Sequence, residues 1–555
     1  MFKRSILQVF FAGNHGRWSS AADPVQGLVI TPREAYKGYK YLYFLTPDGL
    51  TLEEQDTMAD LSSSPAAKTS ESAAPGHPGL KQNAIGLADA IIVGMASSGP
   101  TASLAVTLAA IVAACSYAGP VAIAVCFLPM LGIALAYRRL NQWRVDCGAS
   151  YVWVGRAITP YLGFIVGWIM LLGYFLGTIS DILPVGPYVL QIVAPGQVNS
   201  SLAAAISASV WLVVVTVIAY LGIRLTARFQ WLLATIEYLI ITVFAVVTLV
   251  AVLRHHQGTS AFHGNWLSWH SLGGTSGLVS GILIAVYMFS GWDTSVYVNE
   301  ETQRSRVNPG RAVVVGVITL GVMYAFYTFA FEGGVSQKAL AANGADALAY
   351  IAGSVAGSPW DKVMIAAVLL SIVGATQTAL VAGSRIAFAM GQDKVLPPVL
   401  GRPHRVHHTP AVATVVFALL TLAVTWVYTL SSASVEGAFT NVVDSVGLMF
   451  ALFYAATGLA MAVYYRKLAA RGFGALLQLT LVPLISAAFL IWVAFKSVPG
   501  LGGWNGSVMH YLYIMIGLGI VFLLAARFIA RSGYFAEPTE AYDPSAAASA
   551  PDSSA

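Results

Sequence analysis

Charge is what this sequence has least of. Only 10% of its 555 residues are Asp, Glu, Lys or Arg, against roughly 25% in a typical soluble domain. A chain of this length cannot cover itself with polar surface on that allowance, so a soluble globular protein is excluded. Cysteine is scarce as well, with Cys115, Cys126 and Cys147 alone. Their odd number and their spacing suit neither a disulfide framework nor zinc; they read as small apolar packing residues. His-Glu-x-x-His and Gly-x-Ser-x-Gly are missing, which counts against a membrane-embedded enzyme. There is no Gly-x-x-x-x-Gly-Lys-Ser/Thr loop, so ATP is not a direct energy source. No filter-like loop repeats, which disfavours an ion channel. Nothing points to a cofactor or a metal; His404, His407 and His408 read as loop residues.

What is present is apolar length. Hydrophobic residues make up 57% of the chain, in runs such as Leu202 to Leu221 and Trp231 to Leu253. About 20 apolar residues cross a ~30 Å hydrocarbon core as a helix. Continuous runs, rather than ~10-residue alternating segments, exclude a β-barrel. The fold class expected is an all-α polytopic membrane protein with twelve spans, near 86–112, 119–140, 161–190, 201–222, 229–253, 277–301, 311–332, 361–390, 411–430, 440–465, 474–496 and 508–530. If the N-terminus is cytoplasmic, 18 basic residues fall on the inward side of these spans and four on the outward side. The positive-inside rule then puts both termini in the cytoplasm. That bias also accounts for the formal charge of +5 without a nucleic-acid partner.

Residues 1–80 read as a disordered cytoplasmic tail, with a Ser-, Ala- and Pro-rich stretch from Ser62 to Pro78. Met58 opens a solvated start shortly before the first span, so residues 1–57 are expected to lie upstream of the native N-terminus. A native peptide from before Met58 would overturn that expectation. Residues 532–555 read as a disordered C-terminal tail.

Two spans are interrupted near their centres. The first reads GMASSGPTAS from Gly94 to Ser103, and the sixth reads FSGWD from Phe289 to Asp293. Gly94 and Gly99 let the chain unwind, while Pro100 removes a backbone donor and clashes with the preceding turn. Each interrupted span opens a block of five, the pattern of an inverted-repeat secondary transporter with discontinuous helices 1 and 6. Residues 81–470 would hold the ten-helix core and residues 471–531 two added helices. Unwound backbone in lipid survives only where protein or a cavity satisfies it. A zwitterion suits such a cavity, its carboxylate at a half-helix N-terminus and its ammonium at a C-terminus.

Three motifs resemble the amino acid–polyamine–organocation (APC) family of permeases. They are FSGWD with NEETQRSRVNPGRA after it, the loop AYRRLN…CGASYVWVGRAITPYLGFIVGW, and GSRIAFAMGQDKVLP…HHTP. Together they extend over roughly residues 83–470. The resemblance implies a five-plus-five inverted-repeat core in the plasma membrane and amino acids or related amines as substrates. It further implies coupling to protons or sodium, or exchange. Ala96, Ser97, Ser98 and Gly99 would then offer backbone groups to the substrate carboxylate. Phe289, Ser290 and Gly291 would offer carbonyls to its amino group, with Trp292 walling or gating the pocket. The chain departs from the pattern where Gly391-Gln392-Asp393-Lys394 replaces the commoner Ala-Arg-Asp-Gly. It also lacks the fifth-span lysine of some members.

Intramembrane acids are functional candidates by default. Asp293 begins the second half-helix of span six, where it can cap free N–H groups; contact with a substrate ammonium or proton carriage are the other readings. Glu237 in the fifth span is either a proton-coupling group or a satisfied packing acid. Thr376 and Thr378 can offer hydroxyls to sodium or back-bond within their own helix. Asp181 and Asp444 read as interfacial, and Glu300 and Glu301 as solvated or loop-pairing charges near Arg304 and Arg306. The expected function is a proton-coupled amino acid permease. A polyamine or organic-cation exchanger, with Asp293 and Glu237 on the substrate, is the alternative, and a non-transporting amino acid sensor a third reading.

Overall fold

The computed structural model describes residues 40–46, 49–55, 79–254, 274–431, 435–499 and 502–542. Within the expected N-terminal tail, Lys40–Thr46 (β1) and Gly49–Gln55 (β2) pair antiparallel, Lys40 opposite Gln55 and Thr46 opposite Gly49. β1 is rich in aromatic and leucine residues, and β2 carries Leu50, Thr51 and Leu52 at its start; such residues fit a pleated surface. The hairpin belongs to a compact unit separate from the rest of the chain.

The second unit is helical. In chain order it contains α1 (Leu87–Ser97), α2 (Pro100–Cys115), α3 (Gly119–Trp143), α4 (Ser150–Ala157), α5 (Pro160–Val193), α6 (Ser201–Leu221) and α7 (Ile223–Leu253). There follow α8 (Gly274–Met288), α9 (Thr294–Tyr297), α10 (Asn308–Glu332), α11 (Gln337–Ala342), α12 (Ala347–Ala356), α13 (Trp360–Gln392), α14 (Ala411–Ser431) and α15 (Val435–Tyr464). Two short turns, α16 (Arg466–Ala469) and α17 (Phe473–Leu476), precede α18 (Val482–Ser497) and α19 (Ser507–Leu524). Among the described residues, ten stretches are long and apolar enough to cross a membrane. One of them, Leu87–Trp143, contains the first two expected spans, turned at Ser116–Ala118; the sixth expected span is cut into pieces too short to qualify.

Residues Leu239, Leu419, Phe495 and Ile514 are exposed on the outside of the bundle. Apolar faces of this kind are covered by lipid rather than water. The most extensive helix pairs are α5 with α13 and α3 with α10. The two interrupted spans lie side by side, α1 against α9 and α2 against α8.

One end of the bundle is tied by buried polar contacts. Arg385 of α13 bonds Glu301 through Nε at 2.7 Å and Nη2 at 2.6 Å, both side chains being almost fully buried. Glu300 accepts the Cys147 N–H at 2.8 Å. The reading of these glutamates as solvated or loop-pairing charges is therefore corrected: Glu301 pairs not with Arg304 or Arg306 but with an arginine 84 positions away. The Glu301 carbonyl also accepts the Ala84 N–H at 2.7 Å and the Ile85 N–H at 3.2 Å, anchoring the segment before α1.

The C-terminal tail is corrected likewise for residues 532–542. Tyr534 is buried and stacked on Tyr151 at 4.9 Å, with the Arg156 guanidinium 5.5 Å from its ring centre. Glu537 pairs with Arg156, Glu540 with Arg144 at 3.1 Å, and the Tyr542 N–H reaches the Tyr464 carbonyl at 3.0 Å. Aromatic and acidic residues thus dock what composition alone reads as a tail; residues 543–555 lie outside the described residues.

Removing one partner of a buried ion pair leaves the other uncompensated, at about 3–5 kcal/mol. Arg385→Ala is expected to lower the melting temperature of the detergent-solubilised protein sharply, and Arg385→Met combined with Glu301→Leu to recover part of the loss. A wild-type melting temperature for Arg385→Ala would show that the pair does not hold this end together.

Candidate substrate site

The first interruption is a single sharp turn. Gly99 adopts the left-handed conformation (φ +49°) and Pro100 takes the first position of α2, where its missing N–H is no loss. Most of the freed backbone groups find partners within the protein. The Ser98 N–H reaches the Met95 carbonyl at 3.1 Å and the Gly99 N–H the Ala96 carbonyl at 3.0 Å. At the start of α2, the Thr101 N–H donates to Glu237 Oε1 at 3.2 Å and the Ala102 N–H to Ser371 Oγ at 3.1 Å. The Ser98 carbonyl accepts from the Ser103 hydroxyl at 2.6 Å and the Tyr324 hydroxyl at 3.2 Å. Glu237, buried in α7, therefore caps the half-helix α2 from across the bundle.

The second interruption is wider. Gly291 lies at φ +95°, and a Cβ there would stand 2.6 Å from the Ser97 carbonyl oxygen. Only glycine permits that approach of the two breaks. Its N–H donates to the Tyr454 hydroxyl at 3.2 Å. Asp293 follows at the N-cap position of α9, yet its side chain makes no capping bond. The cap assigned to it from sequence is corrected: the carboxylate accepts from the hydroxyls of Tyr174 at 2.8 Å, Tyr454 at 2.7 Å and Tyr297. Three phenols from α5, α15 and α9 converge on one fully buried acid. Charge-assisted bonds of this kind are the strong ones, and they occupy Asp293 with protein rather than with a ligand.

Between the breaks lies a cavity of about 30 Å³, room for roughly two or three water molecules. Ser97 and Ser98 of the first break, and Ser290 and Gly291 of the second, line it together with Tyr174, Tyr287 and Phe450. Ser98 Oγ is buried there without a hydrogen-bond partner among the described residues. The other sequence-predicted residues stand behind this wall. Gly94 packs against Ser295 and Trp292. Ala96 is buried in α1, and Phe289 packs edge-on against Tyr324. Trp292 stacks on Tyr454 with ring centres 4.8 Å apart. Thr376 donates to the Ile372 carbonyl at 2.8 Å and Thr378 to the Gly374 carbonyl at 2.9 Å, both within their own helix.

Sequence reasoning missed Tyr174, Tyr454 and Tyr287, since a tyrosine in an apolar span carries no signal of what its hydroxyl meets. It also placed Asp181 at the interface, whereas this residue lines the cavity. Spacing offered a clue, because Tyr174, Gly177 and Asp181 recur on one face of α5. The Asp444 side chain lies outside the described residues.

Apolar helices, two of them broken beside a small polar cavity, define a multi-pass helical membrane protein. The amino acid permease family model matches residues 85–521, and the chain belongs to that family. It is 24% identical over 324 residues to the branched-chain amino acid permease of Bacillus subtilis (55% of this chain, 66% of that protein). To the low-affinity putrescine importer of Escherichia coli K12 it is 23% identical over 318 residues (55% and 66%). To human Asc-type amino acid transporter 1 it is 25% identical over 397 residues (70% and 72%). The first two matches thus span just under two thirds of each relative's length.

Each hydrogen bond to a charged group is worth roughly 1.5–3 kcal/mol. Asp293→Asn is expected to lower uptake of neutral and cationic solutes alike by at least about tenfold, in proteoliposomes matched for folded protein. Selective loss of cations would contradict a carboxylate held by three tyrosines.

Proposed function

We propose that the protein is a secondary active transporter that carries amino acids and related amines across the cell membrane by alternating access, coupled to protons. The observation that carries this reading is the cavity: it lies where two interrupted helices meet, and at about 30 Å³ it is too small for an amino acid until its walls separate. A site that must open to admit its ligand suits a carrier. The close pairing of α3 with α10 and of α5 with α13 supports a five-plus-five inverted repeat, since these are corresponding helices of the two halves. In this reading the chain crosses the membrane twelve times, with both termini cytoplasmic, following the bias of its basic residues. The relatives' names, which include amino acid permeases and a putrescine importer, support the substrate class.

Ser97 and Ser98 would meet one end of the substrate and Ser290 and Gly291 the other, with Gly94, Ala96, Gly99, Phe289, Trp292 and Asp293 holding the breaks in shape. The backbone N–H groups of Ser98 and Gly99 are already bonded, so hydroxyls rather than peptide groups are the first contacts. Glu237 is the proposed coupling group. Its carboxylate meets the positive end of α2 one residue beyond Pro100, and protonation removes the charge that favours that contact. Proton occupancy is thereby tied to the position of the half-helix. Sodium at Thr376 is the weaker reading, because that hydroxyl donates within its own helix.

Uptake into proteoliposomes, with labelled amino acids and amines and an imposed pH or sodium gradient, tests the proposal. Accumulation driven by the pH gradient is expected; substrate binding without flux of any solute would favour a sensor. Glu237→Gln is expected to lose pH-driven accumulation while retaining exchange, and unchanged accumulation in that variant would remove Glu237 from coupling.

A further inference from the structure

The cavity has one acidic side chain in its wall, and among the described residues no basic side chain stands against it. Asp181 lines the cavity, half-buried, and makes no hydrogen bond or ion pair among the described residues. No lysine, arginine or histidine is among the lining residues. The two acids nearest the breaks do not share this condition. Asp293 is held by three tyrosines, and Glu237 is bonded to the first turn of α2. Of these three acids, Asp181 is the one that lines the space a substrate would fill.

We propose that Asp181 is a specificity-determining residue of this site, receiving a positively charged nitrogen additional to that of a zwitterion, so that the favoured substrates carry net positive charge. The inference rests on the reading of this cavity as the substrate site. An unpaired carboxylate facing a low-dielectric cavity is costly, and a ligand that brings an opposite charge removes the cost. A neutral zwitterion leaves the site with an unbalanced negative charge; a cationic amino acid or a diamine neutralises it. The geometry gives such a ligand two ends. Tyr174, beside the second break, and Asp181 are seven positions apart on α5, two turns along one face and about 10 Å at 1.5 Å per residue. A substrate held at the breaks by one polar end extends its second nitrogen along α5 toward Asp181.

Selectivity is the test, because a purely structural role would not move it. In proteoliposomes, uptake of lysine, arginine and putrescine is measured against uptake of leucine and alanine for wild type, Asp181→Asn and Asp181→Glu. Wild type is expected to take up at least one of the cations. Asp181→Asn should lower the ratio of cationic to neutral uptake at least tenfold, and Asp181→Glu should restore most of it. The lysine and putrescine arms distinguish a cationic amino acid from an amine lacking a carboxylate. Equal loss of both classes in Asp181→Asn, or a wild type that carries neutral amino acids but no cation, overturns the inference and leaves the permease reading standing. If no solute is carried at all, the permease reading fails. The shift in melting temperature caused by lysine then decides the inference: its loss in Asp181→Asn supports it, and its persistence overturns it.

Discussion

Every peptide group released by breaking a helix inside a membrane must find a partner there, and the rest of this structure depends on that constraint. An unsatisfied backbone group in hydrocarbon costs several kcal/mol. The first break meets the requirement within one turn, with Glu237 and Ser371 reaching across from α7 and α13 to the opening N–H groups of α2. The second meets it through Tyr454, whose hydroxyl receives the Gly291 N–H and also donates to Asp293. Helices distant in sequence are thus recruited to hold two short interruptions, and the cavity is the space that remains between them.

Two kinds of polar contact organise the bundle around that space. Near its centre the contacts are between uncharged donors and single acids, and among the described residues no basic side chain lines the cavity. At one end they are ionic, with Arg385 and Glu301 joining α13 to the segment that follows α9. The C-terminal residues Tyr534 to Tyr542 fasten onto the helix α4 through Arg156 and Tyr151. The arginines at this end therefore hold chain segments together. Tied ends around a small central cavity suit the proposed carrier, in which packed blocks move about the site.

The helical class and the two interruptions were legible in the sequence, because apolar run length and a glycine or proline in a span each have a direct physical meaning. Gly99-Pro100 and Ser290-Gly291 lie where those signals put them. The partners of the charges were not legible. Asp293 follows a break, and a position after a break reads as a cap; its bonds come instead from tyrosines up to 161 positions away. Glu301 has arginines three and five positions beyond it, but its partner comes from α13. Asp181 shows the reverse: a turn count places it toward the end of its span, while the packing of α8 and α15 brings the cavity wall out to it. Local pattern fixes where the backbone changes, and tertiary packing decides what each polar side chain meets.

The central claim, that substrate occupies the cavity between the breaks, is tested most directly at Ser98, whose hydroxyl lines it without a partner. None of the three native cysteines lines the cavity, so a Ser98→Cys thiol, reached from water when the cavity walls separate, can be labelled in proteoliposomes with a small thiol-specific methanethiosulfonate. The account predicts that transported substrate slows this labelling, with half-maximal protection at the concentration that half-saturates uptake. An unchanged labelling rate at saturating substrate, with flux intact, would contradict it.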